Sequence, residues 1–394
     1  MASVCEQRSE VKRMQIVDFR ITRFQFARDR VIGDSQVRAD DVHLATIELV
    51  GEGGNTGLGF MQSLFHPLPA EHEIERVFRE ECWPSIEGRD VEALAHAVRR
   101  PRGGNVRKMS LPFEESLQHA VWDLFAKSLR MPLWKLLGAE RQDVEAYASG
   151  LDFHLSDSDF EQLFAQAAAQ GFRAFKIKVG HPEIERDLHR LSLLKRAIGP
   201  KALVMVDANE AWTPKQAIRN LTLMQRAGHE IYWVEDPILR DDFAGLKLIQ
   251  DQCGPTLVNA GEYLDLTGKR KLLEARVCDL LNVHGQVTDV MRIGWLAADM
   301  GAKITMGNTF LELGVNMALA LPGVEWLEYS FQNFEHLVEQ PYEIREGRIH
   351  GSEQPGHGLT ISEIARRAWR RPEVLTRSEL GHEPPQQRLQ SVAR

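Results

Sequence analysis

Four short apolar runs in the middle of this chain end in chemically capable residues, and the endings recur at nearly constant spacing. Lys176 and Lys178 lie in AFKIKVG, Asp207 and Asn209 end ALVMVDAN, Glu235 and Asp236 end IYWVED, and Glu262 ends TLVNAGE. Lys178, Asp207, Glu235 and Glu262 are 29, 28 and 27 residues apart, close to one strand plus one crossover helix. Between Val144 and Ser330 the full series of such runs is VEAYAS, AFKIKV, ALVMVD, IYWVED, TLVNAGE, CDLLNV, AKITM and WLEYS, separated by amphipathic stretches. Strands joined by helices require a parallel sheet, and eight is the number that closes a barrel; an open doubly wound sheet is the alternative. In a parallel barrel the active site forms at the C-terminal strand ends, so these side chains converge on one mouth.

The flanking sequence reads differently. Residues 14–50 alternate apolar and polar in MQIVDFRITRFQF and VHLATIELV, with a turn in VIGDSQ, which predicts a meander. The glycine-rich GEGGNTGLGF at 51–60 lacks the Gly-x-Gly-x-x-Gly spacing and following helix of a dinucleotide site, and reads as a mobile loop. From Ile74 to Leu137 the spacing is helical, with Gly138 as a stop. After Phe334 the chain becomes irregular, and HEPPQQRLQSVAR reads as a frayed tail.

Composition narrows the partners. A net charge of −8 without long blocks of either sign argues against a nucleic-acid binder and for a small molecule. No apolar run approaches the ~20 residues of a bilayer span, and MASVCEQRSEVKR has no signal-peptide core, so a cytoplasmic protein is expected. The cysteines Cys5, Cys82, Cys253 and Cys278 are far apart, so any metal must be held by oxygen.

Three carboxylates in a small volume repel one another unless a cation is present, and a hard-oxygen set without His or Cys suits Mg²⁺. Lys176 and Lys178 alternate with Ile177, so both ammonium groups point into the barrel mouth. Two like charges beside a divalent ion should lower each other's pKa and leave a lysine neutral enough to act as a base. Taken singly, a strand-end acid is commonly a helix N-cap and a Lys-x-Lys pair a solvated edge. The joint order Lys-x-Lys, Asp-x-Asn, Glu-Asp-Pro, Gly-Glu at unit spacing favours the site.

With these motifs the chain resembles the enolase superfamily and, within it, the mandelate racemase-like group; MPLWKLLG at 131–138 is also typical of that family. The resemblance implies an α/β fold, a (β/α)₇β modified TIM barrel over about 142–332. An α+β capping domain would take 14–137 plus 333–378, with a flexible N-terminus (1–13) and a disordered tail (379–394). It implies Mg²⁺ held by Asp207, Glu235 and Glu262, Lys178 as the base, Lys176 holding the substrate carboxylate, and a homo-oligomer. Removing a proton α to a carboxylate gives an unstable enediolate, which a divalent ion and cationic groups stabilise; Lys or His bases with Mg²⁺ are the known pattern for this superfamily.

The sequence departs from the group on the opposite face. The usual Asp after the sixth strand is replaced by His284, and Asn308 stands where the His after the seventh belongs. Asn exchanges no proton at neutral pH, so the dyad is absent. His284 is either a relocated acid or a hydrogen-bonded bystander, Asn308 a substrate-binding amide, and Glu328 either a donor to the substrate carboxylate or a structural ion pair. No lysine follows CDLLNVHG before Lys303, which disfavours the cycloisomerase pattern, and racemisation needs a base on each face. Dehydration of a sugar acid survives best. An epimerase, racemase or cycloisomerase on the same intermediate is the alternative, and an inactive ligand-binding or regulatory relative is the reading from another class. Specificity should come from the cap: Arg28, Asp29 and Arg30 near a polyol, and the 51–68 segment with Phe60, Phe65 and His66 closing the mouth, where His66 and Asn209 would also touch substrate.

Overall fold

The computed structural model describes residues 14–63, 67–97 and 109–370. The segments 1–13 and 379–394, Phe65 and His66 lie outside the described residues, so the expectations placed on them are not addressed.

All eight strands expected from the sequence form: β4 (Asp143–Ser149), β5 (Ala174–Lys178), β6 (Leu203–Asp207), β7 (Trp233–Glu235), β8 (Leu257–Ala260), β9 (Leu280–Val283), β10 (Lys303–Met306) and β11 (Val324–Tyr329). They pair parallel in chain order, and β11 closes onto β4 through Leu327–Ala146, Glu328–Tyr147 and Tyr329–Ala148. Helices α5 (Asp157–Ala169), α6 (Ile184–Ile198), α7 (Pro214–Arg226), α8 (Phe243–Gln252), α9 (Leu266–Ala275), α10 (Val287–Asp299) and the short α11 (Val315–Ala320) connect them. The open doubly wound alternative is thereby excluded.

Strand alternation explains both layers of this barrel. On β5, Phe175 and Ile177 belong to the large core between strands and helices, whereas Ala174 joins Tyr147, Met205, Trp233, Leu280 and Trp326 in a separate cluster that fills the lower barrel. Lys176 and Lys178 follow Ala174 on the same face, above that cluster. The helix starts are capped by residues other than the candidate site acids: Ser156 caps α5, Thr213 with Gln216 makes a capping box on α7, Asp242 caps α8 and Asp265 caps α9. Asp207, Glu235 and Glu262 are therefore not N-caps.

Ahead of the barrel stands the expected meander, an antiparallel sheet of β1 (Ile16–Gly33), β2 (Arg38–Gly51) and β3 (Thr56–Ser63). Helices α1 (Glu71–Glu81), α2 (Val91–Ala95), α3 (Phe113–Ser128) and α4 (Leu133–Leu136) follow. The glycine-rich stretch is mostly not the expected mobile loop; from Thr56 it is β3, paired with β2 along its length. Its glycines serve close approach, since a Cβ at Gly59 would meet the Ser116 carbonyl oxygen at 1.8 Å and one at Gly57 the Ala120 carbonyl oxygen at 2.1 Å. Glycine runs read as loops by composition, yet a strand laid directly on a helix needs them equally.

Beyond β11 the hairpin β12 (Ile344–Arg345) and β13 (Arg348–His350) adds antiparallel to the start of β4. The chain then returns to the N-terminal sheet, where α12 (Glu363–Ala368) ends beside β1: Gln25 N donates to Trp369 O at 3.0 Å, and the Trp369 ring lies 5.2 Å from Phe26. No helix among the described residues is long and apolar enough to cross a membrane.

Candidate active site

The recurring strand ends do meet. Lys176 Nζ is 2.5 Å from Glu235 Oε1, 3.2 Å from Glu328 Oε1 and 3.4 Å from Asp207 Oδ2, and Lys178 Nζ is 2.5 Å from Asp207 Oδ2. With Lys176 1 % and Lys178 5 % exposed, the pair is no solvated strand edge. Asp152, just past β4, fixes the end of β5: its Oδ1 accepts from Lys178 N at 3.1 Å while Arg190 holds Oδ2 at 3.0 Å. Asn259 donates to Glu235 Oε2 at 3.0 Å, so this acid is orientated from both sides.

Asp207, Glu235 and Glu262 each offer one carboxylate oxygen, all within 4.8 Å of one another. Glu262 Oε2 is buried and has no hydrogen-bond partner, and burial, with the Asp207 charge added, pushes this carboxyl up to about 7. In the cluster of Asp207, Glu235, Glu262 and Glu328, four carboxylates face two lysines. Burial also pushes Glu235 well up; with all four ionised the surplus of two negative charges is what a divalent ion would offset, and an all-oxygen donor set fits Mg²⁺.

The expected depression of the lysine pKa values is not what these groups produce. Burial, the largest single influence, lowers Lys178 and Lys176 lowers it further, as anticipated, but the Asp207 carboxylate in direct contact, with Glu262 and Glu328 added, outweighs them and the net direction is upward. Lys176, among Glu235, Glu328 and Asp207, is likewise held protonated against the cost of burial.

Above the lysines lies a cavity of about 350 Å³, at the small end of the ~300–1,000 Å³ of ordinary ligand sites. Lys178, Glu262, Asn209, His284 and Asn308 all line it. Asn209, held at a φ of +45°, donates from Nδ2 to the Tyr263 hydroxyl at 2.6 Å and from its backbone to Asp207 Oδ1 at 3.0 Å. Asn308 Oδ1 is buried without a partner. His284 Nε2 lies 2.9 Å from the Glu262 carbonyl oxygen; a carbonyl only accepts, so Nε2 carries the proton and the neutral ring presents a bare Nδ1. Burial and then Lys269 push its pKa down, which keeps it in that neutral form.

The buried Lys176, Asp207 and Glu235 lie outside the lining, and so do Glu328 and Arg28. Glu328 is tied to Lys176 and accepts from the Tyr147 hydroxyl at 3.1 Å, an ion pair below the cavity floor. Arg28 is not a lining residue: it donates to Gln332 Oε1 at 3.2 Å and covers the Phe334 ring, so it reaches the cavity only through Gln332. Arg30 is committed to the Ser330 and Phe331 carbonyls, and Asp29 to Asn333. Sequence reasoning missed Tyr263, although it follows Glu262 directly, and Lys269, one helical turn into α9. Lys269 bonds the carbonyls of Gly261 and Asn282 and so joins the ends of β8 and β9; nothing in its local sequence signals this.

Residues 159–365 match the family model described as Enolase C-terminal domain-like. A mandelate racemase-like protein from Mesorhizobium loti is 60 % identical over 94 % of this chain and 98 % of that one, with a TM-score of 0.90. The L-talarate dehydratase from Polaromonas sp. JS666, solved with Mg and L-glucarate, is 27 % identical over 91 % of this chain and 98 % of its own, with a TM-score of 0.76. The 3,6-anhydro-alpha-L-galactonate cycloisomerase of Streptomyces coelicolor is 26 % identical over 331 residues, covering 82 % of this chain and 90 % of that protein. Other relatives include acid-sugar dehydratases and epimerases.

Proposed function

The chain belongs to the Enolase C-terminal domain-like family and to the mandelate racemase-like group of the enolase superfamily, and on that premise we propose that it is a Mg²⁺-dependent lyase that dehydrates a sugar acid. The observation that carries this reading is the asymmetry of the cavity: a lysine amine on one face, and opposite it an imidazole whose only N–H is engaged, beside an amide. When Lys178 takes the α-proton, racemisation needs a proton returned from the other side, and the one N–H of the His284 ring is held by the Glu262 carbonyl; elimination needs no such donor.

Asp207, Glu235 and Glu262 would hold the ion. Bound there, Mg²⁺ would neutralise the carboxylates that otherwise keep Lys178 protonated and offset the charge that develops as an ionised acid loses its α-proton. Lys176, charged and buried, binds the substrate carboxylate. Lys178 takes the α-proton; the resulting electron pair forms the enediolate and then expels the β-hydroxyl, which leaves as water with a proton returned by the Lys178 ammonium. The enol product tautomerises to a 2-keto-3-deoxy acid. Bare Nδ1 of His284 accepts from a substrate hydroxyl, and Asn308 Oδ1, which has no other partner, does the same. The relatives that are acid-sugar dehydratases support this reading, and the epimerases and cycloisomerases among them define its rivals.

Incubation with Mg²⁺ and a sugar-acid library in D₂O tests it. A 2-keto-3-deoxy product is expected. An α-inverted product would instead identify an epimerase, and no exchange at any α-carbon, with Mg²⁺ binding demonstrated, would leave a ligand-binding relative.

A further inference from the structure

The proposed dehydration leaves open what lies at the far end of the substrate, and the cavity lining bears on it. The barrel side of the cavity is polar, with Lys178, Glu262, Asn209 and His284 at the strand ends. The side formed by the N-terminal sheet and the loop after β10 is not: Ile32, Val37, Ala39, Phe60, Met61 and Phe310 line it, and the Phe60 and Phe310 rings pack 5.3 Å apart. Of the anions in the lining, among the described residues, Asp34 lies at the turn of the N-terminal sheet on this side, and Glu115, on α3, lies close to Gly285 beside His284. A carboxylate placed here would lose hydration against an apolar wall, meet the like charge of Asp34 and find no lining cation on this side among the described residues. Arg28 and Arg30 are not lining residues: Arg28 Nη1 donates to Gln332 and Arg30 Nη2 to backbone carbonyls, with their other buried guanidinium nitrogens unpartnered behind the wall. The neutral amides Gln62, whose Nε2 is buried without a partner, and Gln332 remain to bind hydroxyls.

Resting on the dehydratase reading, we infer that the substrate is a monocarboxylic sugar acid whose far end is a methyl or methylene carbon, a deoxy sugar acid, and not a dicarboxylic one. The carboxylate engages Lys176 and the triad, the middle hydroxyls meet His284, Asn308, Gln62 and Gln332, and the terminal carbon packs on Phe60 and Phe310. This separates the chain from its L-talarate dehydratase relative, which was solved with the dicarboxylate L-glucarate.

Calorimetric binding to the full chain with Mg²⁺ tests the inference independently of turnover. The probes are stereoisomer sets of 6-deoxyhexonates, the corresponding hexonates and hexarates. The best 6-deoxyhexonate is expected to bind at least about 100-fold more tightly than the best hexarate, a gap of about 2.7 kcal/mol. Equal or tighter hexarate binding overturns the inference, as does no binding by any 6-deoxyhexonate. Turnover of the same acids decides the reaction class separately, so a tight but unconverted deoxy acid would sink the dehydratase reading and retain the pocket assignment. As a gain-of-function check, Val37→Arg, at a half-buried position, supplies the missing cation and should raise hexarate affinity at least about 10-fold in protein with an unchanged melting curve. A folded variant without that gain overturns the placement of the far end.

Discussion

At the residue scale the chemistry rests on contacts that make each charged group dependent on its neighbours. Lys178 touches Asp207, and Glu262 keeps an orphaned oxygen inside the triad. Lys178→Ala should lower α-deuterium exchange by about 100- to 10,000-fold, the usual contribution of one positioned base, while leaving a Mg²⁺ binding isotherm in place. Glu262→Gln should do the reverse first: the isotherm weakens, and exchange recovers as Mg²⁺ is raised. Wild-type exchange in Lys178→Ala would remove that residue from the reaction. The convergence of Lys176, Lys178, Asp207, Glu235 and Glu262 was legible because their spacing matches the βα unit. The protonation pattern was not, since it depends on which carboxylate each lysine touches, a distance of a few ångströms that no spacing rule contains. The same holds for His284, whose proton is placed by the Glu262 carbonyl from the neighbouring strand.

At the element scale the strands were legible and one sheet strand was not. Apolar runs bounded by turn residues mark β4 to β11, because a strand buried on both faces must be apolar throughout. β3 escaped because Gly57 and Gly59 carry no side chain to show alternation, and their purpose lies in α3, more than fifty residues further on. Gly59→Ala should therefore destabilise the fold by about 1–3 kcal/mol through the clash with the Ser116 carbonyl, measured as a lower urea midpoint at constant m-value. Stability equal to wild type would mean that α3 can move off β3. Should activity fall more than stability, that too is informative, since Phe60 and Met61 on β3 line the cavity.

At the scale of the whole molecule, the returning C-terminal segment is fastened to the N-terminal elements by a buried polar knot. Asp123 on α3 accepts from Leu58 N at 2.8 Å, from His357 N at 2.9 Å and from Lys127 Nζ at 2.6 Å, while His357 Nε2 donates to the Leu58 carbonyl at 2.8 Å. Burial lowers the His357 pKa to about 4 from an ordinary value near 6.5. The unfolded chain thus binds the extra proton first, so this histidine's contribution is complete above about pH 6.5 and is lost as the pH falls towards 4, by on the order of 3 kcal/mol. His357→Gln should flatten that limb: unfolding free energies of variant and wild type, measured between pH 7.5 and 4.5, should converge as the pH falls. A constant difference across the range would show that folding does not lower the His357 pKa. Nothing in GHGLT around His357 announces this knot, because its partners are some 230 and 300 residues earlier in the chain. By itself the sequence determined what is periodic or local: eight apolar strands, the unit spacing that aligns three acids and two lysines, and the oxygen character of any metal site. Only the tertiary structure decided what depends on the meeting of distant segments. It placed β3 against α3, turned Arg28 towards Gln332, closed the knot around Asp123 and gave the far wall of the cavity its apolar lining. The physical reason is that a backbone period is a property of neighbours in sequence, whereas a pKa, a close approach or a cavity wall is a property of neighbours in space.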